Sequence, residues 1–512
     1  MRGGVFYRNA FVPFKPSTQN SLINEKNLWG WLILIGVILR LLQFLINRDF
    51  ILEEASLALN ILDHTFPELL FLSERGQYSA PLFLLSVKCM TVLFGVNDFA
   101  LRIIPLLASI ASLFLVYSFS LKLRASRGVA LFLLALFAIT LFQIRYASEL
   151  KPYAVDLFFA LFLGNLLIPN SEKTESKRKY VILLFSGIIS ILSSFTAPLV
   201  LFVLGLYRLK VMMSAGDKSI KKELILYTLW FIVFSFFIST YLLQLDGMVY
   251  LKGFWAAHFP PANPFRLEFY HWIIKYPAVV ANKMIVFSFN DNMPSYLLLA
   301  LLALLFLMGT IQMVKDKKYQ ILYFVFFPII LQWIISALTL YPFAPRLLLY
   351  LSVSFLFPVA YSLHFLVLQL NKSGALVSIV LCVILIAPGY LHYPIHIVKF
   401  KNAWEYMVDH FDDDQLVYVH FMAIPTYQYY HKTNGIKVPG KIIEGEEDWS
   451  NEKEIYSDLT ALRGEVWLVF SNPFVKDGQS IDKTIVKPYE NDGQLLDSYQ
   501  SRQSSVYLIN AQ

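Results

Sequence analysis

The stretch NLWGWLILIGVILRLLQFLINRDFILEE, residues 27 to 54, decides the class of protein. Its first part, residues 28 to 46, is apolar for long enough to cross a lipid bilayer as a helix, because about 20 mostly apolar residues suffice. Two neighbouring carboxylates, Glu53 and Glu54, follow a few residues later. The stretch therefore predicts a membrane span with acidic side chains just outside the bilayer.

The whole chain has the composition of a polytopic membrane protein. Of its 512 residues, 57% are hydrophobic and only 15% are charged, and the mean hydropathy is +0.56. The 29 tyrosines and 9 tryptophans suit membrane interfaces, where an apolar ring and a polar tip are both satisfied. Cys89 and Cys382 lie in separate apolar runs without metal-ligand spacing, so a disulfide framework, a zinc site and redox chemistry are not indicated.

Further apolar runs predict an α-helical fold with about eleven transmembrane helices. The two runs on either side of Thr196 and Pro198 could also form one broken span, because proline ends or kinks a helix. The eleven segments are 28 to 46, 98 to 120, 128 to 143, 153 to 169, 180 to 195, 197 to 209, 224 to 243, 294 to 313, 320 to 338, 346 to 369 and 375 to 391.

Loop charges predict the orientation, because cytoplasmic loops retain Lys and Arg. With eleven spans, all the basic clusters fall on one side, and we expect that side to be cytoplasmic. The clusters are the amino-terminal arm with Arg2, Arg8 and Lys15, and the segments 122 to 127, 173 to 179, 208 to 222 and 315 to 318. The other side receives residues 48 to 78, 145 to 152, 244 to 293 and 340 to 345, and the tail. We therefore predict a multi-pass plasma membrane protein whose acidic pair is extracytoplasmic.

The tail differs from the rest in charge and in pattern. From Lys401 onward there are ten Lys and Arg and eighteen Asp and Glu, a net charge of −8. Because the whole chain has a net charge of +7, the first 400 residues carry +15. Residues 416–421, 465–470 and 505–510 read as strands, while IPTYQYYHK and EKEIYSDLTALR read as helices. We predict a cytoplasmic arm at 1–27, a transmembrane domain at 28–400 and an extracytoplasmic α/β domain at 401–512.

The acidic pair lies in a short predicted helix. Apolar residues at positions 51, 55, 58 and 62 form one helix face, which predicts a helix in the outer interface. Adjacent helical residues point about 100° apart, so Glu53 and Glu54 cannot both face one target. A structural explanation is also available, since Asp49 could cap the helix and acids in a first turn are favoured by the helix dipole.

Other polar residues gather on the same predicted face. Gln77 precedes the apolar run that contains Lys88, and RYASELKPYAVD places Arg145, Lys151 and Tyr153 between two spans. LTLYPFAPRLLLYL places Arg346 where a helix re-enters the lipid. The aromatic stretch FWAAHFPP, with Trp255 and His258, belongs to the long outer loop.

Taken together, these motifs resemble the polytopic GT-C glycosyltransferases, in the branch of the dolichyl-phosphate-mannose protein mannosyltransferases and the aminoarabinose transferases of lipid A. The resemblance covers roughly residues 28 to 400. The motifs that carry it, in order, are the acidic pair, Asn60 and Ile61, QYSAPLFLL, LFGVNDFALRIIPLL, the KPY element, FWAAHFPP and YPFAPRLLLYL. It implies a GT-C fold and transfer of a sugar from a polyprenyl-phosphate carrier to a glycan, lipid or protein acceptor at the extracytoplasmic face.

The chain departs from the family pattern at two places. Glu53 stands where the family usually has Asp, one methylene shorter, so either the acceptor sits differently or Glu54 is the working carboxylate. Ser79, Ala80 and Pro81 stand where the aminoarabinose transferases have a Lys before a Pro pair, which argues against aminoarabinose as the sugar and lipid A as the acceptor.

The family chemistry, inversion at the anomeric carbon, assigns roles to the residues. A carboxylate takes the proton of the acceptor hydroxyl, and fixed cations stabilise the departing phosphate. The catalytic candidates are Glu53 and Glu54. The phosphate- or donor-binding candidates are Lys88, Arg145, Lys151, Tyr153 and Arg346. The sugar- or acceptor-binding candidates are Gln77, Trp255 and His258.

The sequence also allows purely structural roles for these residues and other functions for the protein. Interfacial Arg and Lys can simply snorkel towards head groups, and aromatic rings can form an interfacial belt. A transporter or flippase would place more charges near the midplane, and a non-catalytic assembly subunit could share the fold. No ligand cluster requires a metal, although a carboxylate near a phosphate could recruit a divalent cation. We expect membrane lipids as partners and no nucleic acid.

Overall fold

The computed structural model describes residues 25–71, 76–169, 176–214, 220–242, 252–261, 263, 265–287, 293–391, 393–445, 459, 461–473, 475–476 and 479–511. The basic arm with Arg2, Arg8 and Lys15 lies outside these described residues, as does most of the EKEIYSDLTALR segment. Within the described ranges, a bundle of apolar helices is followed by a small α/β domain.

The described chain contains eight helices that are long and apolar enough to cross a membrane, or nine if one bent pair is a single span. All eleven expected segments are helical, although the helices at 153–167 and 177–193 have fewer than 18 residues, and the helix at 127–139 could span only together with 141–147. The chain is therefore an integral membrane protein. Its membrane-region helices are α1 (Glu25–Leu45), α2 (Leu52–Asp63), α3 (Pro81–Phe94), α4 (Asp98–Lys122), α5 (Arg127–Ile139), α6 (Leu141–Ala147), α7 (Tyr153–Leu167), α8 (Lys177–Ser193), α9 (Ala197–Ser214), α10 (Ile220–Leu242), α11 (Leu267–Ile285), α12 (Met293–Lys315), α13 (Tyr319–Ala337) and α14 (Ser352–Tyr390).

Helices α8 and α9 are separate and lie side by side. Trp230 of α10 packs against Gly187 of α8, and Tyr227, about one turn earlier on α10, packs against Gly205 of α9. In a single continuous helix, residues 187 and 205 would be about 27 Å apart. The sequence around Thr196 therefore forms a turn between two helices and not a kink in one span.

Helix α14 also folds back on itself. The Ser378 hydroxyl donates to the Leu363 carbonyl at 2.9 Å, whereas fifteen residues of straight helix would separate them by about 22 Å. A Cβ on Gly374 would lie only 2.2 Å from the Leu366 carbonyl oxygen, so the turn needs a residue without a side chain. The two halves account for the candidate spans 345–370 and 373–390.

A buried arginine holds the bend between α5 and α6, which is 55°. Arg40 of α1 is fully buried and donates to the carbonyls of Phe137 and Ala138 at 3.1 Å each, and to Ser109 at 2.8 Å. A bend frees carbonyl groups from the helical ladder, and in lipid such groups need another donor. The span predicted at 128 to 143 is thus a broken one.

The carboxy-terminal domain is a five-stranded mixed sheet with helices, in agreement with the predicted α/β domain. The sheet order is β2-β1-β3-β7-β6, with β2, β1 and β3 parallel and β7 and β6 antiparallel. The three predicted strands and the IPTYQYYHK helix are confirmed. The elements are α15 (Phe400–Asp409), β1 (Leu416–Val419), α16 (Ile424–Lys432), β2 (Ile442–Glu444), β3 (Gly464–Ser471), β4 (Val475–Lys476), β5 (Gln479–Ser480), α17 (Ile481–Asn491), β6 (Leu495–Ser501) and β7 (Ser504–Ala511).

Contacts between described turns mark two ends of the bundle. At one end, Lys318 in the α12–α13 turn donates to the Arg124 carbonyl in the α4–α5 turn. At the other end, Arg102 donates to the Arg48 carbonyl, and the Phe343 N–H donates to the His258 carbonyl. The carboxy-terminal domain docks at this second end, beside α2.

Candidate active site

Glu53 and Glu54 point to different partners, as their helical spacing predicted. The short helix is present as α2, but Asp49 does not cap it, and that expectation is wrong. The N-cap residue is Ile51 and carries no side-chain cap. Asp49 lies two residues before this N-cap and instead accepts a hydrogen bond from the Lys401 N–H of the carboxy-terminal domain at 2.8 Å.

Glu54 is fully buried and fully bonded. Its carboxylate contacts Arg48 at 2.6 Å and Arg102 at 3.1 Å, and accepts the Leu150 N–H at 2.7 Å. Burial opposes its ionisation, but the charges of Arg102 and Arg48 outweigh burial and lower the pKa of Glu54. A carboxylate held in this way is a structural centre, with no free lone pair facing an open surface.

Glu53 lies at the open side of α2. Its side chain is 18% exposed, and Arg346 donates to its Oε1 at 3.1 Å. Burial would raise its pKa, but the charges of Arg346 and Lys151 and the hydrogen bond from Arg346 produce a net lowering. The Arg346 guanidinium also lies 4.8 Å from the centre of the Trp255 ring. Glu53, Arg346 and Trp255 thus form one cluster from three distant parts of the sequence.

Two more predicted cations lie beside this cluster. Lys151 is buried and donates to the Gln77 amide oxygen at 2.5 Å. Burial lowers its pKa to about 8, even though nearby Glu53 opposes the shift. Arg145, whose side chain is 20% exposed, contacts Glu149 at 3.1 Å. The structure therefore brings together a carboxylate and three cations.

Aromatic and imidazole groups complete the cluster. Tyr153 packs edge-on against Tyr146, with ring centres 5.3 Å apart, and the Tyr146 ring lies 5.1 Å from the Arg145 guanidinium. His258 packs edge-on against Trp255 at 5.1 Å. Burial and then the charge of Arg346 lower the pKa of His258, which favours the neutral ring. A neutral imidazole here can bind a hydroxyl group.

Lys88 lies apart from these residues. It donates to the Ile61 carbonyl at 2.8 Å, at the far end of α2. Glu53 and Ile61 are eight residues apart on one helix, or about 12 Å along its axis. Lys88 thus binds a backbone carbonyl near the end of α2 and lies outside the cluster around Glu53.

The candidate site residues did not include the two buried arginines, Arg48 and Arg102, that support the cluster. Arg48 contacts both Glu54 at 2.6 Å and Glu149 at 3.7 Å, and Arg102 contacts the other side of Glu54. Arg102 carried a usable signal, because a cation inside an apolar segment has to find a partner.

The network carries more positive than negative charge. Among the described residues, the site and the adjoining domain interface hold six cations and five carboxylates, and the cations Arg145, Lys151 and Arg346 lie nearest to Glu53. Such an excess suits an anionic ligand. The cations are Arg48, Arg102, Arg145, Lys151, Arg346 and Lys401, and the carboxylates are Asp49, Glu53, Glu54, Asp98 and Glu149.

The described residues contain no group of three or more His, Cys, Asp and Glu side chains arranged to hold a metal ion. In the candidate site, Glu53 and Glu149 each contact an arginine. The described side chains therefore do not form a ready set of ligands for a divalent cation.

Comparisons with known proteins find similar solved structures only. No protein-family model and no curated protein matches the chain. The archaeal oligosaccharyltransferase AglB from Archaeoglobus fulgidus, in complex with an inhibitory peptide and a dolichol-phosphate, is 12% identical with a TM-score of 0.49, and the match covers 94% of this chain and 74% of that one.

ArnT from Cupriavidus metallidurans, an aminoarabinose transferase, is also similar, and it belongs to the class that the sequence motifs resemble. Its apo form is 11% identical with a TM-score of 0.40, and the match covers 94% of this chain and 98% of that one. A second structure holds undecaprenyl phosphate, with a TM-score of 0.39 at the same identity and coverage. These are likenesses of overall shape, so the functional proposal rests on the site residues.

Proposed function

We propose that this protein is an inverting membrane glycosyltransferase that moves a sugar from a polyprenyl-phosphate carrier to a glycan, lipid or protein acceptor. The observation that carries the proposal is the contact between Glu53 and Arg346 at 3.1 Å, beside Lys151 and Arg145. A partly exposed carboxylate next to excess positive charge suits a reaction that removes a proton and releases a phosphate.

Glu53 acts as the general base. As the acceptor hydroxyl attacks the anomeric carbon, its proton passes to the Glu53 carboxylate, and the bond between that carbon and the phosphate oxygen breaks. A positioned base typically contributes about 10²- to 10⁴-fold to the rate. Glu54 cannot share this role, because Arg48, Arg102 and the Leu150 N–H occupy its oxygens.

The cations bind the donor phosphate. Charge grows on the phosphate as the sugar leaves, so fixed positive groups stabilise the transition state more than the ground state. Arg346, Arg145 and Lys151 supply these groups. Arg346 donates a hydrogen bond to Glu53. A bound phosphate competes for Arg346 and frees the Glu53 carboxylate, which predicts that donor binds before acceptor.

The remaining predicted residues suit the sugar and the lipid. Trp255 offers an aromatic face, and its neighbour His258 offers a neutral ring. Tyr350, four residues after Arg346, is one of the residues that line an apolar cavity of about 60 Å³. This cavity is smaller than a polyprenyl chain, so the rest of the chain would lie along the lipid-facing surface. The excess of basic residues in the opposite loops supports an extracytoplasmic site.

Comparative mass spectrometry of surface glycans, lipids and proteins tests this proposal. Cells without the gene are complemented with the wild type, Glu53→Gln or Glu68→Gln, at matched protein levels. Glu68 is a matched control because it is an exposed acid that bonds only locally, to the Thr65 N–H at 2.7 Å. We expect the wild type and Glu68→Gln to restore a missing sugar and Glu53→Gln to fail. Full restoration by Glu53→Gln would favour a non-catalytic subunit or a flippase.

A further inference from the structure

The carboxy-terminal domain contacts the segment that precedes α2. The Phe50 N–H donates to the Tyr430 hydroxyl at 2.9 Å, and the Phe50 ring lies 4.7 Å from the Tyr429 ring. The same ring lies 4.2 Å from the guanidinium of Arg102. Phe50 is fully buried between the two domains, three residues before Glu53.

Two carboxylates of the membrane domain also bond to this domain. The Tyr429 hydroxyl donates to Asp98 at 2.7 Å, at the start of α4. The Lys401 N–H donates to Asp49 at 2.8 Å, and the Lys401 ammonium lies 3.5 Å from Asp98 and 3.8 Å from Asp49. The domain therefore holds both the segment before α2 and the first turn of α4, the helix that carries Arg102.

A chain of buried ion pairs runs from this interface to the candidate site. Arg102 contacts Glu54 at 3.1 Å, Glu54 contacts Arg48 at 2.6 Å, and Arg48 contacts Glu149 at 3.7 Å. Glu149 contacts Arg145 at 3.1 Å, at the open side of the site. Breaking one pair in this buried chain leaves an uncompensated charge. A shift at the interface is therefore opposed along the whole chain.

We propose that the carboxy-terminal domain is a positioning element of the active site, in which Tyr429, Tyr430 and Lys401 fix Phe50 and Asp98 and so set the positions of Glu53 and Arg145. The inference rests on the proposed function for its consequence in donor binding. The three residues of the domain touch no substrate and act through the membrane domain. The domain is thus a part of the catalytic unit and more than a passive cover.

The test uses the full chain in detergent with undecaprenyl phosphate as the probe. The double variant Tyr429→Phe and Tyr430→Phe removes two hydroxyl groups and keeps both rings. Tyr427→Phe is the matched control, because its ring is buried on the same helix and stacks on Trp404 at 5.1 Å. Two quantities are measured: the Kd for the probe, and amide hydrogen exchange of peptides covering residues 46–56 and 141–152.

We expect the double variant to bind the probe about two- to thirty-fold more weakly, the range seen for residues that couple distant sites. Its exchange should rise in both peptides, while Tyr427→Phe matches the wild type. Unchanged exchange at 141–152 would overturn the inference, because the ion chain would then transmit nothing. If the wild type fails to bind the probe, the proposed function loses its donor, and the exchange data still decide the positioning role. Asp98→Asn provides a second disruption of the same interface.

Discussion

At the scale of single residues, neighbouring acids have opposite roles because of their surroundings. Glu53 and Glu54 share a charge and a helix, yet one is partly open beside Arg346 and the other is enclosed by Arg48 and Arg102. Partly exposed ion pairs contribute about 0 to 1 kcal/mol to stability. Breaking a buried pair costs about 3 to 5 kcal/mol, because it leaves a charge without a partner.

Glu54→Gln is therefore expected to lower the free energy of unfolding by about 3 to 5 kcal/mol, whereas Glu53→Gln should change it by less than about 1 kcal/mol. Thermal unfolding of the two purified variants in the same detergent measures the difference. The catalytic assignment would be in doubt if Glu53→Gln were the more destabilised of the pair.

Lys151 should make donor binding sensitive to pH. Burial lowers its pKa to about 8, so the ammonium is present below that value and is lost as the pH rises through it. A polyprenyl phosphate loses its second proton near pH 6, so its own charge is constant above about pH 7.5. We expect the affinity for undecaprenyl phosphate to fall about tenfold or more above pH 8, since a hydrogen bond from a charged donor is lost.

The Kd measured from about pH 7.5 to pH 9.5 checks this expectation, with Lys151→Arg as the comparison. Arginine stays protonated throughout this range, so its variant should bind with a flatter profile. Identical profiles for the wild type and Lys151→Arg would mean that another group is responsible.

At the scale of elements, close helix packing depends on a few small residues. A Cβ on Gly309 of α12 would lie 1.9 Å from the Pro358 carbonyl oxygen of α14, a backbone atom that cannot rotate away. Gly30 of α1 has open space instead, with nothing within 4 Å of the position of a Cβ. Membrane helices use small residues to bring backbones together in this way.

Gly309→Ala is thus expected to reduce the yield of folded protein and lower its Tm by several degrees, because α12 and α14 must separate. Gly30→Ala should be neutral or slightly stabilising, since alanine has the higher helix propensity. Size-exclusion chromatography and thermal unfolding of both variants make the comparison. Equal yield and equal Tm of the two variants would contradict the close packing of Gly309 against the Pro358 carbonyl.

At the scale of the whole molecule, the charge asymmetry predicts the orientation. The acidic carboxy-terminal domain and the candidate site share one end of the bundle, and the basic turns near Arg124 and Lys318 share the other. In the proposed orientation the basic end is cytoplasmic.

Cysteine labelling tests this orientation in a chain whose Cys89 and Cys382 are replaced by alanine. We expect a membrane-impermeant maleimide to label Asp492→Cys, in the carboxy-terminal domain, on intact cells. Lys315→Cys, at the end of α12, should react only after permeabilisation. Both positions are exposed, so access is decided by the membrane alone. The reverse pattern would place Glu53 in the cytoplasm and exclude an extracytoplasmic reaction.

The sequence by itself determined the elements that depend on local pattern. Apolar length predicted the eleven helical segments, and residue alternation predicted three strands of the carboxy-terminal domain. Helical spacing predicted that Glu53 and Glu54 diverge. These features follow from the periodicity of helices and strands, which each segment carries alone.

Only the tertiary structure decided which charges meet. Arg346 lies 293 positions from Glu53, and Tyr430 lies 380 positions from Phe50. No local pattern encodes such contacts, because they arise when separate spans pack and buried charges must find partners. For the same reason, the sequence did not reveal that Lys88 lies apart from the site or that Asp49 bonds to the carboxy-terminal domain. It also did not reveal that Arg48 and Arg102 pair with Glu54 beneath the site.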